Sequence, residues 1–132
     1  MLRLSEAIRL GAMMLPEVRG PIFDRKDNRI CAACAIGSAL YAVGTADDRE
    51  RWLTRSGSVE ELICFWPWTN ERRMDPVRGV NFRIDSIIID LFETAHWTRE
   101  QIADWVETIE PREVEETKLV EITVPVTCRT VA

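Results

Sequence analysis

The side chains of this sequence best suited to nucleophilic, redox or metal chemistry are four cysteines, Cys31, Cys34, Cys64 and Cys128, and one histidine, His96. Cys31 and Cys34 form a C-x-x-C pair, a spacing used by zinc sites and thiol oxidoreductases. Their surroundings favour a plainer role. The run Cys31-Ala-Ala-Cys-Ala-Ile-Gly-Ser-Ala-Leu40 is strongly helix-forming and lacks the Gly-Pro or Pro-Cys context of a zinc knuckle. On a helix, a spacing of three brings both sulfurs to one face, where small thiols pack like alanines. No metal or cofactor is expected.

His96 stands beside Trp97 between two helical patterns, the usual place of a surface or capping residue. No phosphate-cradling glycine loop, H-E-x-x-H or G-x-S-x-G is present. The segment Thr98-Arg-Glu-Gln-Ile-Ala103 is similar to the opening of a helix-turn-helix. Its continuation is acidic and stopped by Pro111, the wrong charge for a phosphate backbone. The residues left to act are therefore recognition residues. Trp66 and Trp68 flank Pro67 at a helix end, and Glu107 and Glu110 belong to an acidic C-terminal face. Exposed aromatics concentrate at protein interfaces.

These groups must be carried by elements, and hydrophobic periodicity supplies most of them. Leu4, Ile8, Ala12 and Leu15 predict a first helix over residues 5–15, capped by Ser5 and stopped by Pro16. Residues 17–29 read as a loop. Residues 30–43 read as a helix that is small and apolar on nearly every side, hence central, with Gly44 as a left-handed cap. Thr45 caps a third helix over 46–55, which Gly57 ends, and Ser58-Val-Glu-Glu61 is a capping box for a fourth. Residues 70–81 read as loop and Phe82 to Phe92 as a fifth helix, though Ile87-Ile88-Ile89 suits a strand equally; Thr98-Arg-Glu-Gln101 is the capping box of a sixth helix over 99–110. In the tail, Val120, Ile122, Val124, Val126 and Cys128 alternate with polar residues and Pro125, as in an edge strand.

The expected architecture is mainly α: a compact bundle of five to six helices around a central small-residue helix, with a short C-terminal β element. Residues 1–112 form the helical domain and 113–132 an acidic linker and strand or tail.

Three segments carry a resemblance: Leu4-Ser-Glu-Ala-Ile-Arg-Leu-Gly-Ala12, Cys34-Ala-Ile-Gly-Ser-Ala-Leu40 and Trp97-Thr-Arg-Glu-Gln-Ile-Ala-Asp-Trp-Val106. In that order they resemble a family of small uncharacterised bacterial and phage-borne proteins. The resemblance implies a zinc-finger-like segment, with a Cys-Pro-x-Cys-Gly turn followed by His-Leu-Asn-Asp-x-His. The matching positions here are Asp75 and Arg78 in the turn and Asp90 and Ala95 in the helix, with His96 one place beyond. Such a set cannot close a tetrahedral zinc site. An Arg78–Asp90 or Arg78–Asp75 ion pair is expected to join turn and helix instead.

The net charge of −5 is concentrated between Glu100 and Glu121, so nucleic acid is an unfavoured partner there. No apolar run approaches the roughly 20 residues of a membrane span. The opening Met-Leu-Arg-Leu-Ser-Glu is not a secretory signal, so a cytoplasmic location without a disulfide framework is expected. The function expected is that of a non-enzymatic protein-interaction module, acting on a protein partner or through self-association of the C-terminal strand. The competing reading is a nucleic-acid-associated regulator using the basic N-terminal third, Arg3, Arg9, Arg19, Arg25, Lys26 and Arg29.

Overall fold

The computed structural model describes residues 2–55 and 59–111. The expected stop at Gly57, the capping box opening at Ser58 and the whole of 113–132 lie outside the described residues. Among those described, six α-helices are joined by two β-hairpins and one 3-10 turn.

Helix α1 (Leu4–Met14) buries Leu4, Ala7, Ile8 and Gly11. It starts one residue before Ser5, and the Ser5 side chain is used elsewhere. Helix α2 (Ala35–Val43) buries every residue from Ala35 to Leu40 and packs against α1 and against the helices at Val59–Phe65 and Ile84–Glu93. The small residues of α2 set how closely its neighbours approach. A Cβ at Gly11 would lie 1.9 Å from the Ser38 carbonyl oxygen, and one at Gly37 would lie 2.2 Å from that of Ile22. Gly44 is in an extended conformation (φ −65°), not left-handed. A Cβ there would press on the Trp52 ring, 2.7 Å away.

The expectation of a helical bundle with a β element only at its C-terminus is overturned by two antiparallel two-stranded sheets. The first pairs β1 (Phe23–Lys26) with β2 (Arg29–Ala33), where a loop and the first turn of a helix were expected. Asp27 and Asn28 form its two-residue turn, both with positive φ (52° and 62°), as the twist of a tight hairpin requires. The register skips Cys31, which is the extra residue of a bulge. The C-x-x-C pair is therefore divided between a strand and a helix cap. Helix α2 begins at Ala35 because Cys34 is extended and its sulfur accepts from the Gly37 N–H at 3.4 Å. The second sheet pairs β3 (Arg72–Met74), inside a segment expected to be loop, with β4 (Asn81–Arg83), which takes Phe82 and Arg83 from the expected start of the fifth helix.

Helix α3 (Ala46–Thr54) carries Trp52, buried against Phe23 at a centroid distance of 5.1 Å. Its N-terminus has the expected cap at Thr45, completed by Asp48. Burial opposes ionisation of Asp48, but hydrogen bonds from the Thr45 N–H and from Arg51 outweigh it and hold the carboxyl below its ordinary value of 3.8. A depressed carboxyl stabilises the fold above its unfolded pKa and loses that contribution as pH falls through the folded one. Thermal melts taken from neutrality into acid should thus fall below pH 3.8, and less steeply for Asp48→Asn than for the parent.

Helix α4 (Val59–Phe65) leads through a 3-10 turn (Pro67–Asn70) into β3. Helix α5 (Ile84–Glu93) buries Ile84, Ile87, Ile88, Leu91 and Phe92, while Phe82 stays in β4. After α5, His96 takes a left-handed φ of 58°. Helix α6 (Arg99–Ile109) opens on the expected capping box of Thr98 and Gln101 and buries Ile102, Ala103 and Val106. Arg99 ties three helices together, donating to the Leu15 carbonyl at 2.7 Å and to Ser38 Oγ at 3.0 Å. Burial lowers the pKa of this guanidinium from its ordinary value. No helix among the described residues is long and apolar enough to cross a membrane.

Candidate interaction surface

The turn and helix singled out by the resemblance are joined by an ion pair. Arg78 donates to Asp90 Oδ1 at 2.9 Å. Asp75 has a different task. Its Oδ1 accepts from the backbone N–H groups of Val77 and Arg78, at 2.8 and 3.0 Å, and holds the turn that Gly79 closes with φ 70°. The other oxygen, Oδ2, is buried and has no hydrogen-bond partner. Ala95 is half-buried against the core, and His96 is exposed. Among the described residues no group of three or more His, Cys, Asp or Glu could hold a metal ion.

The Arg78–Asp90 pair is partly open to solvent, so its net contribution should be small. A double-mutant cycle of Arg78→Ala and Asp90→Ala in urea is expected to give a coupling of at most about 1 kcal/mol. A larger value would mean that the pair, not the neighbouring backbone bonds, anchors the hairpin.

Of the other sequence-derived candidates, Trp66, Trp68 and Glu110 face inward, while Glu107 is exposed and engaged by Arg9. Trp66 and Trp68 are buried, and the Trp66 indole N–H donates to the Leu2 carbonyl at 3.1 Å. The Glu110 side chain is only 3% exposed and accepts from the Ser5 N–H and Oγ, at 3.1 and 2.5 Å. A carboxylate on an N–H of the first turn is favoured by the dipole of α1. Glu107 accepts from Arg9 at 2.7 Å, and Asp104 and Glu100 take the remaining donors of the same guanidinium. These three carboxylates hold the Arg9 proton even more firmly than usual. The acidic face of α6 is thus partly used up in binding α1.

Of the thiols, Cys34 is buried, and burial pushes its pKa up. Cys31 and Cys64 are half-exposed, and burial raises Cys64 as well.

Comparison with family models, curated proteins and solved structures finds no match to this chain. The chemistry of its own surface carries the functional reading. Exposed large apolar side chains cluster on the β3–β4 hairpin: Met74, Val77, Val80 and Phe82, between 41% and 61% exposed. Periodicity missed them because the segment is dominated by arginine, proline and glycine. All six strand residues are exposed, and within the described residues neither outer edge is paired with another strand. An isolated two-stranded hairpin is marginal in water. This one is held by the Asp75 turn, by the Arg78–Asp90 pair and by the Ile84 N–H, which donates to the Glu71 carbonyl at 2.9 Å. Its arginines are largely compensated, Arg73 by Glu71, Arg78 by Asp90 and Arg83 by Asp85.

Proposed function

We propose that this chain is a non-enzymatic, cytoplasmic protein-interaction module. In line with its resemblance to phage-borne proteins, we place its origin in a phage or mobile element. Its docking surface is the β3–β4 hairpin, and its partner is a protein that lays an extended, apolar strand along the hairpin edge. The observation that carries this reading is the gathering of four exposed apolar side chains, Met74, Val77, Val80 and Phe82, on one small hairpin whose outer strand edges are unpaired among the described residues. The register sets Met74 on one face of the hairpin and Phe82 on the other, so both faces offer apolar contacts to a strand added at an open edge by backbone hydrogen bonding. Local charge compensation favours such a partner over a polyanion. The N-terminal basic residues do not favour nucleic acid either: Arg9 is held by three carboxylates, Arg19 by Glu17, and Arg25 by the Trp52 and Leu53 carbonyls.

The test is a photo-crosslinking residue at Val77 in the full chain, in cells and in purified protein. The expected product is a discrete protein adduct, either a dimer of this chain or one defined partner, that Phe82→Ser abolishes while the melting temperature holds. An adduct unaffected by Phe82→Ser would overturn the proposed surface. Steeply salt-dependent binding of the purified chain to DNA or RNA oligonucleotides would overturn the function in favour of nucleic acid.

A further inference from the structure

Beside the first turn of α2, the chain leaves a space unfilled. A cavity of about 160 Å³ lies between the loop that precedes β1, the first turn of α2, the start of α4 and the last two turns of α5. Its buried wall is apolar, made by Ala35, Ile36, Ile88 and Phe92, with Ile22 and Ile89 nearer the opening. A sealed apolar cavity of about 150 Å³ in an engineered case takes up a molecule the size of benzene, and this one offers a similar volume behind an opening to solvent.

The opening is polar on one side. Glu93 reaches across it, and its Oε1 accepts from the Gly20 N–H at 2.6 Å. Glu93 Oε2 accepts no hydrogen bond from the described residues. Arg19, the nearest cation along the loop, is already engaged. It pairs with Glu17 at 3.1 Å, donates to the Phe92 carbonyl and lies over the Phe92 ring at 4.2 Å. The loop is thereby fastened to the end of α5 at two consecutive residues. Gly20, with φ 104° and open space where a Cβ would stand, leaves the entrance clear.

We infer that this cavity binds a small molecule with an apolar body of about one ring and a neutral or cationic hydrogen-bond donor directed at Glu93. The apolar wall gives the affinity, because burial of the ring removes it from water without opening new polar groups. The carboxylate sets the selectivity. A hydroxyl or ammonium on the ring meets a lone acceptor, whereas a carboxylate meets like charge at short range. The site is separate from the β3–β4 hairpin and does not depend on the function proposed for it.

The experiment titrates isotope-labelled full chain with phenol, benzylamine and benzoate, reading the methyl signals of Ile36, Ile88 and Ile89 by NMR. Peptide-resolved alkylation of Cys34, which also lines the cavity, gives a second readout. Phenol and benzylamine are expected to shift those methyls with a Kd on the order of 1 mM and to slow Cys34 alkylation. Benzoate is expected to bind about tenfold more weakly than benzylamine. Glu93→Gln should bring benzylamine and benzoate close together while leaving phenol in place. Ala35→Leu should fill the cavity and abolish all three shifts with the fold retained by circular dichroism. Absence of shifts with both phenol and benzylamine at about ten times that concentration overturns the site. Benzoate binding as tightly as benzylamine overturns the role of Glu93, and binding that survives in folded Ala35→Leu shows that the cavity is not where the ligand sits. Should Ala35→Leu not fold, the Glu93→Gln comparison still decides the selectivity, and the parent titration decides the site.

Discussion

Gly11→Ala is expected to destabilise the protein by about 3 kcal/mol or more, a large share of the stability of a domain this size. Helix propensity alone points the other way, since alanine is favoured over glycine inside a helix by about 1 kcal/mol. The close crossing of α1 and α2 decides the sign. The added methyl would stand 1.9 Å from the Ser38 carbonyl oxygen and 2.4 Å from its carbon. Both are backbone atoms and cannot swing aside as a side chain would. Nor is Ser38 free to retreat, because its Oγ donates to the Cys34 carbonyl at 2.8 Å and accepts from Arg99. Relief therefore requires the two helices to part, which loosens the Arg99 contacts and opens the centre of the core. Urea denaturation checks this, with Met13→Ala on the exposed face of α1 as control. An unchanged or raised midpoint for Gly11→Ala would mean that α1 and α2 do not cross so closely.

That crossing was partly legible in the sequence. The small residues of α2 announced a helix approached closely by its neighbours, and the stripe of α1 announced the buried face. What periodicity could not show was which neighbour meets which glycine. The β1–β2 hairpin was hidden for a different reason. Ile30, Cys31, Ala32 and Ala33 are small or apolar residues that suit a buried strand as well as a buried helix, so neither period asserts itself. The bulge at Cys31 further breaks the alternation a strand would display. Asp27-Asn28 did mark a turn, but a turn flanked by strands of four and five residues looks like a loop until the pairing is known.

The candidate site divides the same way. The Arg78–Asp90 bridge could be anticipated because opposite charges took matched places on a turn and the helix after it. Glu107 and Glu110 could not be assigned from their neighbourhood in sequence. Their partners, Arg9 and Ser5, lie 98 and 105 residues away, so a solvated acidic stripe and a helix-docking face look identical locally. The exposed apolar side chains of the hairpin escape the sequence because Met74, Val77, Val80 and Phe82 follow no regular period across a turn, and its register sets Met74 and Phe82 on opposite faces.

Trp66→Ala is expected to cost about 3–5 kcal/mol, as removal of a fully buried aromatic side chain does. Trp66 is 2% exposed, and its indole N–H closes on the Leu2 carbonyl, pinning the chain just before α1 to the end of α4. The truncation therefore removes packing at the core and leaves a carbonyl without its donor. Trp66→Phe gives an intermediate case: the smaller ring preserves much of the packing but loses the N–H, a single neutral hydrogen bond worth about 1 kcal/mol, together with part of the buried ring. Guanidinium denaturation of the three proteins should accordingly rank parent, then Trp66→Phe, then Trp66→Ala, with the second step the larger. A recognition role for this residue would give the opposite signature, intact stability with lost partner binding. The hairpin supplies the matching contrast, since Phe82→Ser is expected to leave the denaturation midpoint nearly in place while removing the crosslink at Val77. If Trp66→Ala instead unfolded at the same denaturant concentration as the parent, the aromatic cluster would have to be returned to the surface.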